Sequence, residues 1–486
     1  MPTVEKLTNK DVIKSLITFI CGTICFYLLV FLTILMIKGG AGFSPFIVEN
    51  SRQILTVVVS IAVLSAIMYC YFFFENKYVL SHFSKMAELF LIMYISFILE
   101  KVMSGFVDTL ARPIAFLALM FATLFRRRDA IFINSVFCII MLIIDRILNT
   151  MEIGMYYSYA CLLCRFCSGI IAIFLFNSIK TRFQSVLLAI VLLVPVEAIN
   201  CIIVLPVSLG SIAATQIFDV LIFSGLSCIL SIMLYMFILP LFEMIFAELT
   251  VFRLRELTSD SAKLIKRMKE KAPGTYSHSV VVSQLVEACA KAIGEDSELA
   301  RAAAYYHDVG KLKGPEMFAE NQTDYNFHDD ITPELSVDII RSHARNGAQL
   351  IRKSRLPEFF ADVAVQHHGT MPIKYFYYKA LKMSDGELNI DNYSYTGPTP
   401  SSKIAAIIMI ADASEAATRT LPERTPEKVE EFVRMLIEER LDMGQFDNCN
   451  ITMRELTVIR GTIVDQLSGV YHSRVVYPKL SVTRKK

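Results

Sequence analysis

Charge imbalance is the first thing this chain does without: its formal net charge is +2 over 486 residues. No stripe of lysine, arginine and aromatic residues runs through its polar half, which argues against a nucleic-acid polymer as partner. Cysteine is scarce where a disulfide framework would need it. Of eleven cysteines only Cys289 and Cys449 lie beyond residue 250, while Cys21, Cys25, Cys70, Cys138, Cys161, Cys164, Cys167, Cys201 and Cys228 fall in apolar runs. A reducing compartment therefore suits the polar half. That half also lacks any convincing run of alternating apolar and polar residues, which argues against a sheet and predicts an all-α domain. No Gly/Ser-rich tether separates the two halves.

What the chain has in excess is apolar residues, 54% of the total, with a mean hydropathy of +0.49. That is too apolar for an ordinary soluble protein, and the excess is localised. Residues 11–250 are a succession of apolar runs, whereas charge is spread evenly from Val251 onward. A bilayer core of about 30 Å needs roughly 20 apolar helical residues. Eight runs approach or exceed that length, at 12–37, 53–74, 84–106, 113–125, 130–148, 156–177, 183–207 and 216–247, the fourth being short. The first is too long for the apolar region of a cleaved signal, so it reads as an uncleaved anchor. Basic residues sort the connections. With eight spans, Lys6, Lys10, Lys77, Arg126, Arg127, Arg128, Lys180, Arg182, Arg253 and Arg255 share one side, and only Lys38, Arg52 and Arg112 face the other. The expectation is a cell-membrane protein, embedded in the lipid bilayer, with both termini cytoplasmic.

Charges inside the runs are Glu88, Glu100, Asp145, Arg165, Glu197, Asp219 and Glu243. Such residues are costly in lipid, and pairing with each other or reaching headgroups is the simpler reading of them. Cys161, Cys164 and Cys167 have metal-like spacing, but small thiols packing between helices explain them better.

Domain boundaries follow: a membrane domain over 1–250, a linker helix over 251–272 and a soluble domain over 273–486. In the linker, Thr258 to Ser261 reads as an N-cap for a helix over 262–271, ended by Pro273-Gly274. Beyond it, amphipathic patterning predicts helices over 279–293, 298–306, 333–353 (capped by Thr332), 358–368, 403–418, 426–441 and 452–466.

Six of the eight histidines crowd into residues 274–368, among them the candidates His278, His307, His343, His367 and His368. A buried core needs no such density. The pairs His307-Asp308 and His367-His368 each turn two side chains into one pocket from a helix end, and Asp412 adds a later carboxylate. Seven donors from five segments suffice for two metals, and a carboxylate such as Asp308 can bridge them. Two cations about 3.5–4 Å apart activate a bridging water as hydroxide and clamp a phosphoryl group. Mixed imidazole and carboxylate donors without thiolate favour Mn2+ or Fe2+, with zinc still open. Lys311, one turn beyond Asp308, is placed to neutralise a phosphate oxygen. Glu415 reads equally as a ligand-orienting residue or a solvated one; Arg419 as a surface ion pair; His328 as a loop residue; and His472 as an ordinary interior or surface histidine. No general acid emerges.

His278, then His307-Asp308-Val309-Gly310-Lys311, then His343, then His367-His368-Gly369-Thr370, then Asp412 resemble the HD-domain phosphohydrolases. Pro273 to Ser279, Glu320-Asn321-Gln322 and Tyr471-His472-Ser473-Arg474 are similar to the branch with seven transmembrane helices that hydrolyses cyclic di-AMP to linear pApA. The likeness runs from about residue 50 to the C-terminus. It implies that His278, His307, Asp308 and Asp412 hold one metal, and that Asp308 bridges to a second held by His343, His367 and His368. It implies a polytopic helical membrane domain followed by an all-α HD domain. The related HD-GYP proteins, which cleave cyclic di-GMP, continue differently after their double histidine, whereas here Gly369-Thr370-Met371-Pro372 follows. Family members usually carry a large extracytoplasmic domain after the first span, where this chain has only residues 38–51. Two other readings are a phosphohydrolase for cyclic di-GMP or another nucleotide, and a membrane receptor or transporter whose HD domain only binds nucleotide. A homo-oligomer is compatible with all of these.

Overall fold

The computed structural model describes residues 7–148, 155–176, 179, 181–203, 214–322, 325–384, 386–419 and 425–470. Among the described residues helices are the only regular elements, with one isolated antiparallel bridge between Pro372 and Ser394. It divides into two units, Met1–Phe252 and Arg253–Lys486.

The first unit holds α1 (Asn9–Glu49), α2 (Ser51–Glu75), α3 (Lys77–Ser81), α4 (Phe83–Phe106), α5 (Phe116–Leu124), α6 (Arg127–Leu148), α7 (Met155–Phe176), α8 (Arg182–Ile203) and α9 (Ala214–Ile245). A helix lies in each of the eight expected runs. Among the described residues five segments are long and apolar enough to cross a membrane: Asn9–Met36, Ser51–Glu75, Phe83–Phe106, Arg182–Asn200 and Ile217–Ile245. In α5, Phe116 to Phe121 are all buried, and an all-round apolar helix of nine residues is suited to a protein interior. In α7 the stretch Leu162–Phe176 is apolar, and α6 carries four charges at Arg127, Arg128, Asp145 and Arg146 besides Asp129. Residues 38–49, expected as a connection, continue α1 instead. Packing of Phe46 and Ile47 against the unit's core overrides the Gly-rich stretch there. The outer faces stay apolar: Ile13, Leu16, Ile17, Ile20, Ile24 and Leu28 are exposed along α1, as lipid contact requires.

Most of the in-span charges are paired. Arg165 forms a two-pronged bond to Glu100, both side chains about 1% exposed. Asp145 accepts from Lys101 and Arg112. Lys85 lies 3.0 Å from Glu88 and 2.8 Å from Glu248, and Arg182 lies 2.8 Å from Glu243. Asp219 is exposed. The Cys164 thiol donates to Asn200 Oδ1 at 3.1 Å, in keeping with a packing role.

The boundary falls within α10 (Val251–Leu257), and the second unit continues through α11 (Lys263–Lys271), α12 (Pro273–Ala292), α13 (Ser297–Tyr306), α14 (Pro333–Lys353), α15 (Glu358–Gln366), α16 (Lys374–Met383), α17 (Lys403–Thr418), α18 (Pro426–Asp442) and α19 (Met453–Val470). The linker is thus two helices rather than one. Thr258 and Ser259 hydroxyls donate backward, to Leu254 and Glu256 carbonyls, so they close α10 instead of capping α11. Pro273 opens α12 instead of ending its predecessor, because proline at the first helical position forfeits only an N–H that has no partner there anyway. Helix α16 was not anticipated; its anchors are the buried Phe376 and Ala380, one turn apart in an aromatic-rich segment. The run Ile404 to Asp412 in α17 is buried without interruption, and that is how a carboxylate reaches the interior.

Candidate metal centre

Five segments deliver the side chains. His278 lies in the second turn of α12, while His307 closes α13 and hands over to Asp308 and a 3-10 turn over Val309–Lys313. His343 is in mid-α14, His367 closes α15, and Asp412 lies in α17. Gly310 makes the approach of α14 feasible: a Cβ there would stand 1.9 Å from the His343 carbonyl oxygen. Gly369 turns the chain after the two histidines with φ +53°, a left-handed conformation that side chains resist.

The donors fall into two groups whose ligand atoms lie within 4.8 Å of one another, His278/His307/Asp308/Asp412 and Asp308/His343/His367/His368. Asp308 belongs to both. Its Oδ2 lies 3.3 Å from His307 Nε2 and 3.7 Å from His278 Nε2; its Oδ1 lies 3.2 Å from His343 Nε2 and 3.7 Å from His367 Nε2. His278 Nε2 is 2.9 Å from Asp412 Oδ1, and His368 Nδ1 is 3.7 Å from Asp412 Oδ2. All are buried except His368, which is partly so.

The imidazoles are oriented from behind. The Nδ1–H groups of His307, His343 and His367 donate to the carbonyls of Ala304, Ile340 and Ala364, each three residues earlier. That fixes the tautomer and turns each Nε2 lone pair inward. His278 Nδ1 instead meets Glu415 Oε2 at 2.7 Å, and Glu415 is 2% exposed. Glu415 is therefore a buried orienting carboxylate and not a solvated one; Arg419 backs it. His307 Nε2 and Asp308 Oδ1 are buried and make no hydrogen bond among the described residues. Orphaned inward-facing acceptors at such cost fit divalent cations.

Electrostatics separates the two groups. Burial opposes charge on His278, but hydrogen bonds to Asp412 and Glu415 outweigh it and push the imidazole up to about 9. Burial is likewise outweighed at His307, which Asp308 and Asp412 raise to about 10. His343 goes the other way, down to about 4, through burial and the fields of His367 and Lys311. His368 is also depressed, chiefly by burial and His367. Asp308 stays well below the ordinary carboxylate range: burial is overcome by Lys311 and His307. Asp412 does so through His278 and His307, again against burial.

Lys311 Nζ is held 2.8 Å from both Asp308 Oδ2 and Glu320 Oε1. Glu320 Oε1 also accepts from the Thr275 hydroxyl at 2.9 Å. A cavity of about 710 Å3 opens over these groups, with His343, His368, Phe318, Tyr395 and Arg419 in its wall. His328, expected in a loop, belongs to this wall as well, buried in a 3-10 turn of the connection before α14 with Nε2 bonded to the Met317 carbonyl at 2.8 Å. His472 lies outside the described residues. Tyr395 had no sequence signal, since it sits in the irregular stretch between α16 and α17.

A model of the 7TM receptor with intracellular HD hydrolase matches residues 51–250, and an HD-domain model matches residues 275–417. Residues 51–250 and 275–417 thus resemble the membrane half and the HD half of the seven-transmembrane HD-domain proteins. It is 46% identical over 242 residues to the cyclic-di-AMP phosphodiesterase PgpH of Listeria monocytogenes, covering 50% of this chain and 34% of that protein. With the PgpH of Bacillus subtilis the identity is 40% over 288 residues, 58% of this chain and 40% of the relative. The chain thus spans well under half the length of these curated relatives. The solved HD domain of L. monocytogenes PgpH in complex with cyclic-di-AMP is 45% identical; the match covers 44% of this chain and 99% of that one, with a TM-score of 0.42.

Proposed function

We propose that this protein is a membrane-anchored phosphodiesterase that hydrolyses cyclic di-AMP to linear pApA. The observation that carries the reading is Asp308, one carboxylate shared by two groups of inward-facing donors beneath an open cavity. His278, His307, Asp308 and Asp412 would hold one divalent metal, and Asp308, His343, His367 and His368 a second, with Mn2+ or Fe2+ best matched to these donors. When bound, such a pair supplies Lewis acidity and a water acidified toward hydroxide. The chain's own residues do the rest. Glu415 and the three backbone carbonyls hold the imidazoles in register. Lys311 holds the shared carboxylate and presents a fixed cation at the cavity edge, where charge grows on a phosphate oxygen. The adenine dinucleotide as substrate is supported by the names of relatives at 46% and 40% identity. We read eight membrane-spanning helices, with both termini and the HD domain in the cytoplasm, from the distribution of basic residues.

The test is turnover by the purified full chain in detergent with Mn2+, offered cyclic di-AMP, cyclic di-GMP and mononucleotides. Hydrolysis of cyclic di-AMP fastest, with pApA as first product, is expected. Faster hydrolysis of another nucleotide with none of cyclic di-AMP would overturn the assignment.

A further inference from the structure

Tyrosine hydroxyls in protein interiors usually find a hydrogen-bond partner. Tyr395 does not. Its ring is largely enclosed, stacked on His368 at 4.1 Å between centroids and 24° between planes, with His343 edge-on at 6.2 Å. Its hydroxyl makes no hydrogen bond within the described residues, nor does it count among their sealed, unpartnered polar atoms, so it opens to the cavity whose wall the residue forms. The cavity floor beside it is the donor cluster, with Lys311 and Glu320 also in the wall.

The residue is also held rigidly. Tyr395 N–H donates to the Met371 carbonyl at 3.0 Å, and Ile373 N–H to the Tyr393 carbonyl at 2.8 Å. These bonds flank the Pro372–Ser394 bridge and tie the segment to the turn that follows His367-His368. Two residues on, Gly397 lies against the α15 backbone so closely that a Cβ would stand 2.1 Å from the Val365 carbonyl oxygen. An otherwise irregular connection is therefore clamped to the two histidines, and the phenol is carried with them. The phenol is a neutral donor, whereas Lys311, the nearby cation in the same wall, already has both Asp308 and Glu320 as partners.

We infer that Tyr395 is a catalytic residue whose hydroxyl donates a hydrogen bond to the phosphodiester seated over the donor cluster, while its ring fixes His368. This rests on the phosphodiesterase reading but not on the identity of the nucleotide. The full chain loaded with Mn2+ is compared with Tyr395→Phe, which keeps the ring and removes the hydroxyl. Three readouts are taken: metal content, the Kd of inorganic phosphate by calorimetry, and turnover of cyclic di-AMP and of bis(p-nitrophenyl) phosphate. A hydrogen bond to a charged group corresponds to about 10- to 100-fold. Expected are unchanged metal content, phosphate affinity weakened by about tenfold, and both esters slowed by about 10- to 100-fold. Unaltered phosphate affinity would overturn the inference, as would slowing of cyclic di-AMP alone or loss of metal from Tyr395→Phe. If wild type cleaves the artificial ester but not cyclic di-AMP, the nucleotide assignment falls, and Tyr395 is judged on phosphate and the artificial ester.

Discussion

Both units bury charge, and they do it in opposite ways. In the membrane unit a buried ion meets counter-ions across the helices: Arg165 with Glu100, Asp145 with Lys101 and Arg112, Glu243 with Arg182. In the HD unit seven donors converge on one another, and His307 Nε2 and Asp308 Oδ1 remain without a hydrogen bond among the described residues. A satisfied buried pair holds helices together. A convergent set left unsatisfied is built for something that arrives later.

That contrast is sharpest at the shared carboxylate. Asp308→Ala removes the one residue common to both donor groups, so turnover is expected to fall by at least about 1,000-fold. Helical content and the melting transition of the membrane unit should stay intact, as circular dichroism would report. The reciprocal experiment belongs to the membrane unit. Glu100→Ala strands the Arg165 guanidinium, and loss of one partner of a buried pair costs about 3–5 kcal/mol. Thermal unfolding in detergent should show that loss, with metal content per folded molecule unchanged. Replacing both residues by leucine should recover most of it; failure to recover would mean the pair does more than hold helices.

A smaller effect is expected one layer behind the metal. Glu415→Gln weakens the orienting bond to His278, and changes of this kind lower metal affinity by about 10- to 100-fold. Titration with Mn2+ would measure it, and the group containing His343 should be unaffected.

The pH dependence should divide the same two groups. In the metal-free protein His278 and His307 titrate at about 9 and about 10, so below those values a cation must displace their protons. Apparent affinity at that group rises with pH between 7 and 9, by about tenfold per unit for each proton released. His343, at about 4, and the likewise depressed His368 are already deprotonated, so these two ligands release no proton over that window. Calorimetric titrations in buffers of different ionisation enthalpy would count the protons.

How much of this could be read from the sequence depended on whether the signal was local. Helices α14 and α17 begin and end at the residues expected from Thr332 and from the apolar run before Asp412. The donor order His278 to Asp412 was legible because each ligand type stands in a helix or at its end. Glu415 was ambiguous because a carboxylate one turn after Asp412 points inward only if α17 is buried on every side, which is a tertiary fact. The place of His328 in the cavity wall, and Tyr395 altogether, were missed because both sit in connections whose burial is set by neighbouring segments. The linker misled for a different reason: Thr258 and Ser259 hydroxyls can bond forward as an N-cap or backward to carbonyls, and composition does not choose between them.

Metal stoichiometry tests the shared-carboxylate site most directly, measured by elemental analysis of the Mn2+-loaded full chain and three variants. About two ions per chain are expected for wild type, about one each for His278→Ala and His368→Ala, and none for Asp308→Ala. A single ion in wild type, or retention of two in Asp308→Ala, would contradict a two-metal centre bridged by Asp308.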